Sequence, residues 1–205
     1  MLKELIISDN FISDLFLQIE HEHNIPRDDI ECILLCGSAL YFENPHDIDF
    51  KVILKNTNNV SQKTLSKLNV QNYTVDCLYY TPASWKSVTK THYPCQFITE
   101  SPDLLCIYGS DKKFYRFDIL KSKSLKKYIA TIWDKYFFNI RNAKTDNLFT
   151  DKRLWNFLLF AYKILNNSHI LTEQQKIQLQ KAHDGELIKE TFIPTYNEVV
   201  SKIYS

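Results

Sequence analysis

Between residues 32 and 54 the chain carries two apolar runs, CILLCGSAL at 32–40 and IDFKVIL at 48–54, with Asn44-Pro45 between them. Short runs rich in Ile, Leu and Val and bounded by turn residues read as buried strands. Only eight residues separate Ser38 from Asp47, so the connection is a tight, hairpin-like return. A sheet is thereby set early in the chain, and whatever precedes or follows must pack on it.

The flanking segments fit that requirement. Ser8 can cap a helix through about Asn24, with Phe11, Ile12, Leu15, Phe16 and Ile19 as its apolar stripe. SQKTLSKLN at 61–69 suits a short helix with Leu65 and Leu68 inward, and YTVDCLYY at 73–80 a third strand. Thr81-Pro82 opens a further helix, with proline in the first helical position. LLCIYG and KFYRFDIL read as another strand pair around Gly109. From Ser124 the apolar period changes to 3.6. Amphipathic helices are expected over 124–143 and 151–168. Thr172 to Gln175 forms a capping box for a third, and Thr195 to Glu198 repeats the device for a last one. The fold class expected is α/β (α+β), a mixed sheet with flanking helices over 1–120, followed by an all-helical bundle over 121–205.

Charge divides along the same line. Residues 1–110 hold 14 Asp and Glu against 8 Lys and Arg, whereas 111–205 hold 10 against 17. A solvated face accounts for the basic stretch around Lys112, Lys113, Arg116, Lys121, Lys127, Lys135, Arg141 and Lys144, since the helical residues Lys127, Lys135 and Arg141 share no clean stripe. An electrostatic funnel for NTP or RNA is the alternative. No apolar stretch approaches the ~20 residues of a membrane span. The first residues, MLKELIISDN, lack a continuous apolar signal core. Cys32, Cys36, Cys77, Cys95 and Cys106 show no paired C-x-x-C spacing, so they read as buried thiols of a cytoplasmic protein rather than zinc ligands or a disulfide framework. His21-Glu22-His23 is not a ligand pair, because neighbouring helical residues point in different directions. The phosphate-binding loop G-x-x-x-x-G-K-[ST] and the dinucleotide fingerprint G-x-G-x-x-G are both absent.

The chemistry concentrates in CGSALYFENPHDIDF, 36–50. The chain has three glycines where average usage gives about 14, so a glycine at position 37 answers a steric demand. Gly37 lets the backbone approach an anion closely, and the N–H groups and hydroxyl at Ser38 can cradle its oxygens. Strand residues alternate faces, which places Asp47 and Asp49 on one side, about 6.6 Å apart. Two carboxylates so placed repel unless a cation lies between them. Hard oxygen donors favour magnesium or manganese. Asp76 is a third carboxylate in an otherwise apolar strand. If that strand lies beside 48–54, all three converge as two-metal catalysis requires.

Gly37-Ser38, Asp47-Ile48-Asp49 and Asp76, in this order and strand context, resemble the signature of the nucleotidyltransferase superfamily that includes DNA polymerase beta. The helical remainder is similar in architecture to small bacterial members of the minimal and kanamycin types. The resemblance implies magnesium- or manganese-dependent transfer of a nucleoside monophosphate, AMP foremost, from an NTP to an acceptor hydroxyl, with release of pyrophosphate. It implies that Gly37 and Ser38 bind the triphosphate and that Asp47 and Asp49 bind the metals. Asp76 then acts as general base or as a ligand to the catalytic metal. The acceptor is left open among small molecules, proteins and tRNA, and the aromatic-rich helices offer a face for a homodimer. The alternative is a degenerate module that binds nucleotide or a protein partner without catalysis. It is motivated by a departure from the family pattern: the Ser38–Asp47 connection has no basic residue, contains Glu43, and puts His46 where family members often carry serine. A second Gly-Ser, Gly109-Ser110, is followed by Asp118 but has Leu120 where a second carboxylate should stand, and it reads as a turn.

Overall fold

The computed structural model describes residues 2–55, 65–85, 103–112, 120, 154–186 and 189–204. The expectations for 61–64, 113–119 and 124–143, for Cys95, and for the basic residues from Lys113 to Lys144 lie outside them. The chain divides into two compact units. Their described residues run from 2 to 112 in the first and from 120 to 204 in the second.

In the first unit a short helix α1 (Leu2–Ile6) leads into α2 (Asp9–His23). The Ser8 hydroxyl accepts the Phe11 N–H at 3.3 Å at the start of α2. At its end Asn24 adopts a left-handed conformation, and its N–H donates to the Glu20 carbonyl. Ser, Asp and Asn at such positions satisfy helix-end groups that have no partner inside the helix. Phe11, Leu15 and Ile19 are fully buried, and each contributes about 1.5–3 kcal/mol through burial.

Among the described residues five strands form one mixed sheet in the order β3-β4-β2-β1-β5: β1 (Ile30–Cys36), β2 (Ile48–Leu54), β3 (Leu65–Val70), β4 (Tyr73–Tyr80) and β5 (Leu105–Gly109). β2 and β4 run parallel, and every other neighbouring pair is antiparallel. One face carries Ile33 and Leu35 of β1, Phe50 and Val52 of β2, Leu68 and Val70 of β3, and Val75 and Cys77 of β4. These share a single apolar core with α2, in which the Phe11 ring meets Phe50 and Tyr73 at 6.4 Å. The other face is apolar at one end, where Cys32, Leu34 and Ile53 are buried and Trp85 packs edge-on against Tyr80. Towards the start of β2 and β4 that second face becomes polar.

The helix expected over 61–69 is corrected by β3. From Leu65 onward this segment pairs with β4, and Leu68 and Val70 are buried while Lys67 and Asn69 are exposed. That alternation has the period of a half-buried strand, and tertiary pairing overrides the weak helical pattern. The β3–β4 turn has no glycine. Gln71 and Asn72 both take positive φ, 48° and 71°, as a two-residue hairpin turn that matches strand twist requires. Glutamine rarely adopts that conformation. Here its side chain donates to Asp14 Oδ2 at 2.6 Å, which fastens the turn to α2.

The second unit contains α3 (Leu154–Asn166), α4 (Glu173–His183) and α5 (Lys189–Tyr204). The Thr172–Gln175 capping box is present at the start of α4. The one expected at Thr195 is not, because α5 continues through Pro194 and Thr195 lies buried within it. Thr195 hydrogen-bonds the Tyr162 hydroxyl of α3 instead, and burial pushes that hydroxyl up to about 12. Trp155, Phe157 and Phe160 are core residues, with Phe157 against Phe192 at 4.6 Å. Lys202 closes the end of α3 by donating to the carbonyls of Ile164 and Leu165. Among the described residues no helix is long and apolar enough to cross a membrane.

Candidate active site

β1 ends at Cys36, and the chain turns at once through a 3-10 segment, Gly37–Leu40. Gly37 has a φ of 71°, and a Cβ built there would overlap Asp49 Oδ2 and stand 2.9 Å from Asp49 Cγ. A side chain there is strained by the backbone conformation and would force the Asp49 carboxylate or the turn to move. The Ser38 carbonyl accepts the N–H groups of Tyr41 and Phe42, which tightens the turn. The Cys36 thiol donates to the Asp49 carbonyl at 3.3 Å. Tyr41 donates its hydroxyl to Asp103 Oδ2 at 2.6 Å and ties the loop to the segment entering β5.

Register then brings the charged residues together. Cys36 is opposite Asp49, Asp49 opposite Asp76, and Asp76 opposite Lys67, so one row crosses β1, β2, β4 and β3. Asp47 immediately precedes β2, and its negative charge is felt at Asp76. The three predicted carboxylates, each half-buried, thus occupy the same end of the sheet beside the Gly37-Ser38 turn. Among the described residues no three His, Cys, Asp or Glu side chains close around one point as a ready-made ligand set.

Burial raises the Asp76 carboxyl above its ordinary 3.8, and the charge of Asp47 raises it further, while Lys67 opposes both. Its buried Oδ1 also has no hydrogen-bond partner. The folded protein therefore holds the Asp76 proton more tightly than the unfolded chain does. Stability from this group is fully present below pH 3.8 and is lost as pH rises through the raised folded value. Asp76→Asn should consequently gain stability relative to wild type as pH increases across that window. Urea unfolding at successive pH values checks this, and a constant difference between the two proteins would contradict the electrostatic account.

Two lysines belong to this face that the sequence reading did not place there. Lys67 was hidden by the helix expected over 61–69, although the alternation Lys67-Leu68-Asn69-Val70 carries the strand signal. Lys51 follows Asp49 by two residues, is 5% exposed, and lies between Leu34 and Leu78 in the next row. Burial raises the Tyr80 hydroxyl, and the Lys51 charge partly counters that shift. The other motifs separate from the site. His21 is exposed and pairs with Glu22, whereas the His23 ring packs on Tyr79. Gly109 ends β5, where a Cβ would overlap the Glu31 carbonyl oxygen, so its role is close strand approach. Cys32, Cys36, Cys77 and Cys106 form no disulfide among the described residues, and burial raises the Cys77 thiol strongly.

The chain matches no protein-family model and no curated protein.

Proposed function

We propose that the protein is a metal-dependent nucleotidyltransferase, which moves a nucleoside monophosphate, AMP foremost, from an NTP to an acceptor hydroxyl. The observation that carries this reading is the row in which Asp49 and Asp76 face each other across parallel strands, with the bare Cα of Gly37 against the Asp49 carboxylate. Asp47, Asp49 and Asp76 suit a hard divalent cation in donor type, and the partnerless Oδ1 of Asp76 is an oxygen that such an ion would satisfy. Bound magnesium or manganese would neutralise phosphate charge and polarise the reacting phosphorus. Gly37 and Ser38, both buried in the turn, would meet the triphosphate through close backbone approach. The acceptor oxygen forms its bond to the α-phosphorus as the bond to pyrophosphate breaks, and Asp76 takes the hydroxyl proton.

The absence of a basic residue between Ser38 and Asp47 favours a second reading, a nucleotide- or partner-binding module without catalysis. One experiment separates them. Each of four α-labelled NTPs is incubated with magnesium and the protein, and label is followed into protein, RNA and small-molecule fractions of a cell extract. Transfer that disappears with Asp47→Asn is the expected result. No label in any fraction from folded protein, or label undiminished by Asp47→Asn, would overturn the enzymatic reading.

A further inference from the structure

The row of charged residues has a direction. Gly37 and Ser38 follow Cys36 at the β1 end, the aspartates occupy β2 and β4, and Lys67 stands on β3 at the far end. At about 4.8 Å between strands, Lys67 lies roughly 14 Å from the Gly37-Ser38 turn. That is too far for its backbone position to belong to the same phosphate cradle. β3 ends the sheet among the described residues. Asn69 and Thr74 face each other in the neighbouring β3–β4 row, and both are exposed on the face that carries Lys67 and Asp76. Among the described residues Lys67 forms no hydrogen bond or salt bridge, and its charge acts on Asp76 from a distance.

We propose that Lys67, Asn69 and Thr74 form the acceptor subsite, and that the acceptor carries an anionic group, a phosphate monoester or a carboxylate, bound by Lys67. The inference rests on the nucleotidyl-transfer reading, in which the NTP enters from the Gly37-Ser38 side and the attacking hydroxyl from the Asp76 side. An anion arriving beside three aspartates meets repulsion, and a lysine at its point of entry opposes that repulsion and sets its orientation. Asn69 and Thr74 add neutral hydrogen-bonding groups of the kind that recognise a polar, hydroxyl-bearing molecule.

The test follows backbone amide resonances of the full chain during titration with inorganic phosphate and, separately, acetate. Saturable shifts at Lys67, Asn69 and Thr74 are expected with at least one of the two anions, and which one responds identifies the acceptor group. Lys67→Met should weaken that binding by about tenfold or more, and Lys67→Arg should retain it. Shifts confined to Gly37 and Ser38, no saturable shifts at all, or edge binding undiminished by Lys67→Met would overturn the subsite. A parallel titration with ATP and magnesium reads the Gly37-Ser38 turn and Asp49. If those residues fail to respond while phosphate still binds at Lys67, the nucleotidyl-transfer reading has failed separately from the anion site.

Discussion

Asp49→Asn should abolish transfer, with a loss of about a thousandfold or more in rate, while the protein remains folded. Asparagine preserves the shape of the side chain against Gly37 but removes the charge that the proposed cation requires. It also removes one member of a like-charged pair, since Asp49 faces Asp76 across β2 and β4. The melting temperature should therefore stay level or rise. Thermal unfolding beside a labelled-NTP assay checks both halves. A variant that still transfers would eliminate the carboxylate-dependent mechanism. A variant that loses transfer only because it unfolds would show that Asp49 serves the fold.

Gly37→Ala should damage both stability and activity. At a φ of 71° an alanine is strained, which costs about 1–3 kcal/mol. Its methyl group would also occupy the space of Asp49 Oδ2. The turn or the carboxylate must shift, and a displacement of about 1 Å at a reacting centre costs on the order of a hundredfold in rate. Because the damage passes through Asp49, adding Asp49→Asn to Gly37→Ala should lower transfer much less than the two single losses multiplied. Urea unfolding and rates for the two single variants and the double variant measure this. Full activity in Gly37→Ala would mean that the close approach of turn and carboxylate has no catalytic role.

Much of the candidate site's geometry was legible in the sequence because its signals are local. β1, β2 and β4 follow apolar runs with clear ends, and a glycine in a glycine-poor chain marked the turn. Asp49 and Asp76 were expected to converge if their strands were neighbours, and the parallel register supplies that pairing. What was not legible depended on tertiary context. β3 is half polar, and its turn uses Gln71-Asn72 in place of a glycine-containing pair, so helix and strand patterns competed. Losing β3 to a helix also concealed Lys67. The start misplaced at Thr195 also depended on tertiary context, because Thr195 lies buried within α5 and bonds the Tyr162 hydroxyl of α3. Strand alternation puts Lys51 on the face of Asp49, two residues before it, but its burial there depends on neighbours that only the sheet supplies.

The pairing of β2 with β4 also bears on when the site comes into existence as the chain folds. The β3–β4 hairpin joins neighbours in sequence and is the type of element that closes within about 1–10 μs. Bringing Asp49 beside Asp76 requires a longer loop to close before any contact rewards it. The repulsion between these carboxylates therefore arises in the slower step, after the hairpin has formed. A cation that bound the finished row would act on the native state and not on the hairpin alone. Magnesium would then slow unfolding and leave the early folding phase unchanged, so the ion would serve as a latch on a completed sheet.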